Sequence, residues 1–186
     1  MNDIDIFNKI VNDERFKEEM NYIQHGDVSV YSHSINVAKS CILFSKKLGI
    51  KVNYESLVKG ALLHDYFLYD WHDKEHEGLH AFEHPKIARR NAINDFGLSK
   101  KEENMILSHM FPLSKSVPRY KESIILCCVD KYCASKETIT RNKLAREIND
   151  NKKIKIKRSI FNLSQLLINL NILAIILATN VLSNII

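Results

Sequence analysis

Only five glycines and three prolines interrupt the 186 residues of this chain. Such a chain lacks the closely spaced turn residues that an all-β fold needs, so long helices are expected. Apolar residues make up 45% and charged residues 26%, enough of each to bury a core and keep a solvated surface. At this length one main domain is expected, over residues 1–150. A basic linker at 151–158 and an apolar C-terminal helix or tail at 159–186 follow it.

Hydrophobic spacing places the helices. Ile6, Ile10, Phe16 and Met20 mark an amphipathic helix over residues 3–22, broken at Gly26-Asp27. Val37, Cys41, Phe44 and Leu48 mark a second over 32–48, stopped by Gly49. A third, over 54–68, carries Leu57, Ala61, His64 and Leu68 on one face, with Asn53 or Ser56 as its cap. Residues 69–83 are polar, aromatic and rich in histidine, and read as a loop or a short irregular helix. His84-Pro85 then opens a fourth helix, with proline in the first turn where its missing N–H costs nothing. Ser99 with Glu102 resembles a capping box for a fifth helix ending near Met110. Pro112 and Pro118 bracket a loop, and helices over 120–137 and 138–149 complete an all-α bundle of about six to eight helices.

Charge and cysteine usage narrow the setting. The net charge is +5, much of it in the run from Lys152 to Arg158. Such a run is a solvated segment or an attraction for phosphates or an anionic membrane. No basic stripe with interleaved aromatics is present, so no nucleic-acid partner is expected. Cys41, Cys127, Cys128 and Cys133 form no CxxC pair, and the acidic N-terminus has no apolar targeting segment. They read as reduced core residues of a cytoplasmic protein. Residues 166–186 carry no charge and fit three structures: a buried or partner-packed helix, a C-terminal membrane span, or a poorly ordered tail. Asn162, Asn169, Asn180 and Asn184 fall near one helical face, which speaks against the span.

Six residues carry the chemistry: His33, the doublet His64-Asp65, His84, His109 and Asp130. Each falls on or at the end of an expected helix, and helical bundles build metal sites from such inward-facing side chains. The doublet follows LVKGALL, Asp130 follows IILCCV and His109 follows MILS. An ionisable group ending an apolar run is costly to bury unless it is paired or binds metal. Imidazole mixed with carboxylate favours Fe or Mn, with Mg, Zn or Ni as alternatives. Two ions would acidify a water molecule and offset charge on phosphoryl oxygens, which is what phosphate-ester cleavage needs.

At these residues the sequence resembles the HD-domain superfamily of metal-dependent phosphohydrolases. Its H…HD…D pattern is matched by YSHSINVA (His33), ALLHDY (His64-Asp65) and CCVDKY (Asp130), within residues 25–140. A subset of that superfamily has two further histidines between the doublet and the last aspartate; His84 in FEHPKIA and His109 in LSHMFPL occupy those places. The resemblance implies that His33, His64, Asp65 and Asp130 hold one ion, and that Asp65 bridges to a second on His84 and His109. It also implies a small phosphorylated substrate, a nucleotide by preference. The stretches LHDYFLYDWH, LHAFEHP and HMFPL look like a bacterial branch described only as HD-domain hydrolases. The chain also departs from the family. Many members place a lysine where Leu68 stands, guanosine-tetraphosphate hydrolases carry Glu-Asp where Leu68-Tyr69 stand, and the Gly-Tyr-Pro signature of cyclic-di-GMP enzymes is missing.

Around this set, Asp65, His64 and Lys131 are the expected catalytic residues, with Lys131 reaching a substrate phosphate or a salt-bridge partner. Arg89 and Arg90 can bind phosphate or lie on the surface. Trp71 can stack on a base or pack, and His72 can contact substrate. His72 or His80 can also act as general acid. His25 and Asp27 fit a structural role or the site entrance. The expected activity is metal-assisted hydrolysis of a phosphate ester or anhydride. One competing reading is a non-catalytic metal- and nucleotide-binding regulatory module, with or without a membrane tether; another is a protein tethered to a membrane through 159–186 whose HD domain is chiefly a scaffold.

Overall fold

The computed structural model describes residues 3–25, 27–71 and 80–149, with isolated positions 165, 168 and 169. The chain forms two compact units, residues 1–137 and 138–186. Among the described residues the first unit is all-α apart from one small hairpin. The elements are α1 (Asp3–Val11), α2 (Glu14–Lys17), a 3₁₀ turn (Glu18–Asn21), β1 (Ile23–His25), β2 (Val28–Ser29), α3 (Val30–Lys47), α4 (Tyr54–Leu62), α5 (His80–Phe96), α6 (Lys100–Ser108) and α7 (Lys121–Asn149).

Helix α4 is the hub: it packs against α1, α3 and α6. A helix covered on so many sides must be apolar nearly all round, and Leu57, Val58, Ala61 and Leu62 are all fully buried. Gly60 lets α6 close in, because a Cβ there would lie 2.5 Å from Met105 Cε. Ile6 and Ile10 of α1, Val37 and Cys41 of α3, Ala88 and Ala92 of α5, and Ile125, Leu126 and Val129 of α7 complete one core.

Several expected ends are found. The Asn53 side chain accepts from Ser56 N–H at 3.0 Å and caps α4. Ser99 and Glu102 make a reciprocal capping box on α6. Gly49 and Gly97 follow α3 and α5 with φ of 65° and 60°, a region that favours glycine.

Other expectations are corrected. Residues 3–22 are not one helix: Asp13 accepts from Arg15 N–H at 2.9 Å and starts a new turn, the local competition that short acidic side chains offer the backbone. In place of the expected simple break, strands Ile23–His25 and Val28–Ser29 pair antiparallel. Helix α4 ends at Leu62, so the doublet lies in the turn after it and Leu68 stands outside it at φ 53°. Helix α5 starts at His80, placing Pro85 inside it instead of in its first turn. Residues 121–149 form one helix, since neither glycine nor proline divides them. Among the described residues no helix is long and apolar enough to cross a membrane. The basic run at 151–158 lies outside the described residues, as does 159–186 except for its three isolated positions.

Candidate metal centre

The turn after α4 places the doublet at the middle of the unit. Asn91 of α5 donates to the carbonyls of Tyr66 and Phe67, at 3.1 and 3.2 Å, and the Tyr66 hydroxyl donates to Asp95 at 2.9 Å. Helix α5 thus holds the turn from one side while also supplying His84. His33 comes from the second turn of α3, His109 from the C-terminal cap of α6, and Asp130 from the middle of α7.

All six residues converge, and all are between 0 and 7% exposed. They form two overlapping groups, in each of which the candidate ligand atoms lie within 4.8 Å of one another. One group is His33, His64, Asp65 and Asp130; the other is Asp65, His84 and His109. Asp65 belongs to both through different oxygens. Its Oδ2 lies 3.2 Å from His64 Nε2 and 3.9 Å from His33 Nε2. Its Oδ1 lies 3.2 Å from His84 Nε2 and 3.4 Å from His109 Nε2.

The tautomers show what this arrangement needs. His64 Nδ1 lies 2.8 Å from the Ala61 carbonyl and His109 Nδ1 lies 2.7 Å from the Ile106 carbonyl. Each Nδ1 must therefore carry the hydrogen, leaving a lone pair on Nε2 of the neutral ring. His33 Nδ1 likewise donates to Glu137 Oε2 at 2.9 Å, which turns its Nε2 toward Asp130 Oδ1 at 3.0 Å. In the neutral rings of His64 and His109 the Nε2 lone pairs face Asp65, while His33 Nε2 is hydrogen-bonded to Asp130 and His84 Nε2 lies 2.9 Å from His109 Nε2, a contact that needs a proton on one of the two. Buried His64 Nε2 and Asp65 Oδ1 have no hydrogen-bond partner at all. Such an arrangement repels itself unless protons or a cation lie between the lone pairs.

Proton affinities follow the same field. Burial opposes charge on His33, yet Asp130 and Glu137 outweigh it and push the imidazole up to about 9. Burial also opposes a charged His64, and Asp65 and Asp130 raise it all the same. The Asp65 and Asp130 carboxyls resist burial and are held below the usual range, Asp65 chiefly by His64 and Asp130 by His33 and His64. His109 is lowered by burial, with His84 and His64 adding repulsion against the pull of Asp65. Positive charge is thus favoured between the carboxylates, and the mixed imidazole–carboxylate set fits divalent metal ions.

The remaining candidates are placed as follows. Lys131 Nζ donates to the carbonyls of His109 and Cys127, at 2.8 and 3.0 Å, and lies 3.1 Å from Cys127 Sγ. It ties α7 to the backbone of a centre residue. The Arg89 guanidinium is paired with Glu103 of α6, and Arg90 is exposed. Trp71 Nε1 donates to the Ile23 carbonyl at 2.9 Å. His72 lies outside the described residues, and of His25 and His80 only the backbone is described. Asp27 is exposed. The four cysteines are free thiols.

Three residues around the centre escaped sequence reasoning. Gln24 Nε2 donates to Asp65 Oδ2 at 2.5 Å. Glu137 accepts from both His33 and Asn36. It stands seven residues after Asp130, two turns along the same face of α7, and that spacing is the signal that marks it. Glu19 is fully buried with neither carboxylate oxygen hydrogen-bonded. Burial pushes its carboxyl well up, His64 opposes the shift and Asp65 adds to it.

The family model of the HD domain matches residues 30–135, more than half of the chain. No curated protein and no solved structure matches it.

Proposed function

The chain belongs to the HD domain family, a superfamily of metal-dependent phosphohydrolases, and from that premise we propose that it hydrolyses a phosphate ester or anhydride of a nucleotide. The observation that carries this reading is the convergence of six buried imidazole and carboxylate side chains in two overlapping groups, with His64 Nε2 and Asp65 Oδ1 lacking a hydrogen-bond partner among the described residues. His33, His64, Asp65 and Asp130 would hold one divalent ion, and Asp65, His84 and His109 a second. Such ions, Fe or Mn by preference, acidify a water molecule and offset the charge that builds on phosphoryl oxygens.

The protein's own residues do the rest. Glu137 fixes the His33 tautomer, and the Ala61 and Ile106 carbonyls fix those of His64 and His109. Lys131 acts through the His109 backbone, a positioning role in place of phosphate contact. Arg90 is the stronger candidate for the substrate phosphate, because Glu103 already occupies Arg89. Trp71 and His72 would border the nucleotide, and the protein would act in the cytoplasm.

Metal analysis of the full chain, followed by turnover assays on phosphomonoesters, nucleotides and dinucleotides with Fe²⁺, Mn²⁺ or Mg²⁺, tests the reading. Metal uptake with turnover of at least one phosphate class is expected. Uptake without turnover of any of them would leave a binding module, and no uptake would remove the metal chemistry altogether.

A further inference from the structure

We infer that Gln24 is a positioning residue that locks the Asp65 carboxylate so that one oxygen faces each of the two donor groups. The inference rests on the two-ion reading above and goes beyond it to a residue outside both groups.

Gln24 is 7% exposed, and its Nε2 lies 2.5 Å from Asp65 Oδ2. An ionised carboxylate only accepts, so the amide nitrogen must be the end that faces it. With that oxygen held, the carboxylate cannot turn about its terminal bond. Oδ2 stays on the side of His33 and His64, and Oδ1 stays on the side of His84 and His109. One lone pair of Oδ2 meets Gln24, and the other remains for the first group.

The backbone is shaped to deliver this side chain. In the hairpin Ile23 pairs with Ser29 and His25 with Val28, so Gln24 is the extra residue of a β-bulge. Bulges re-aim a side chain that regular pairing would direct elsewhere. The strand is anchored on both flanks: Val30 N–H donates to the Tyr22 carbonyl at 2.9 Å, and the Trp71 indole donates to the Ile23 carbonyl. Gln24 also bears a cost that a packing residue would avoid, for its own Oε1 is buried without a hydrogen-bond partner. Methionine would fill the space without that cost but would leave Asp65 free to rotate.

The test loads metal-free full-length protein with Mn²⁺ and reads affinity by dialysis and electronic coupling by electron paramagnetic resonance. Wild type is expected to take up two ions and show the exchange-coupled spectrum of a carboxylate-bridged pair. Gln24→Met, and Gln24→Asn whose amide falls short, should keep wild-type helicity by circular dichroism. Both should bind Mn²⁺ about 10–100-fold more weakly and show isolated-ion signals. Gln24→His, which keeps a donor at similar reach, should restore the coupled spectrum. Should Gln24→Met fail to fold, Gln24→Asn decides. A coupled pair at wild-type affinity in either variant overturns the role of Gln24 while sparing the metal reading. Wild type that binds fewer than two ions overturns the shared carboxylate itself.

Discussion

Glu122 and Asp65 are both buried carboxylates, 5% and 1% exposed, and both are held below the ordinary carboxylate range. Their surroundings differ in kind. Glu122 Oε1 accepts from the Asn53 backbone N–H at 2.7 Å and from Lys101 Nζ at 2.9 Å, joining α7 to the cap of α4 and to α6. Donors meet that acceptor, and folding alone completes the cluster. Asp65 accepts from Gln24 and otherwise faces the Nε2 atoms of His33, His64, His84 and His109 at 3.2–3.9 Å. A buried charge matched by fixed donors serves the fold. A buried charge set among imidazole nitrogens depends on protons or a cation between them.

The contrast is open to attack at several points. The largest effect is expected from Asp65→Ala, which removes the oxygen pair common to both groups. Hydrolysis should fall by ~10³-fold or more, equivalent to ~4 kcal/mol of transition-state stabilisation. Metal content should drop with it while far-UV circular dichroism stays that of wild type. Full activity in this variant would place Asp65 in the same class as Glu122. His84→Ala should lower the stoichiometry from about two ions to about one, as a two-ion site requires. Unchanged stoichiometry by elemental analysis would mean that the second group holds nothing. Glu137→Gln keeps a hydrogen-bond acceptor for His33 but loses its charge, and should weaken metal affinity by about 10-fold, the lower end of outer-shell effects. Titration with a competing chelator reads that change.

The smallest functional effect belongs to Glu122→Gln, which should leave metal binding untouched and cost about 1–2 kcal/mol of stability. Its pH dependence has a definite sign. Burial works to raise the Glu122 carboxyl, but Lys101 and the Asn53 N–H hold it below its ordinary 4.5. The stability it adds is therefore present above pH 4.5 and lost as pH falls through the lower, folded value. Thermal melts of wild type and variant should converge toward acid pH. A gap that persists undiminished there would show that Glu122 contributes by packing alone.

Much of this was legible in the residues. Apolar runs ending in His64-Asp65 and in Asp130 advertise ionisable groups carried into a core, and all three residues are found there. The caps at Asn53 and Ser99 could be read because capping is local chemistry over three residues. Gln24 could not be read the same way: its partner stands 41 residues away, and no local periodicity records so distant a contact. Glu137 carries a signal only in its seven-residue spacing from Asp130 along α7, which becomes legible once Asp130 is placed in the site. The break at Asp13 was hidden for another reason: the hydrophobic spacing runs on through it, while the side chain of Asp13 itself restarts the helix. The expected division of α7 at residue 138 has no glycine or proline to enforce it, and the helix runs through.

His33 and Asp130 touch across 97 positions of chain, and His33 and Glu137 across 104. Asp65, His84 and His109, the whole of the second group, precede α7 in the chain, whereas the first group lacks Asp130 until α7 is made. In an order of synthesis from the N-terminus, the three-residue group is therefore complete in sequence before the four-residue group, and α7 is the element that closes the centre.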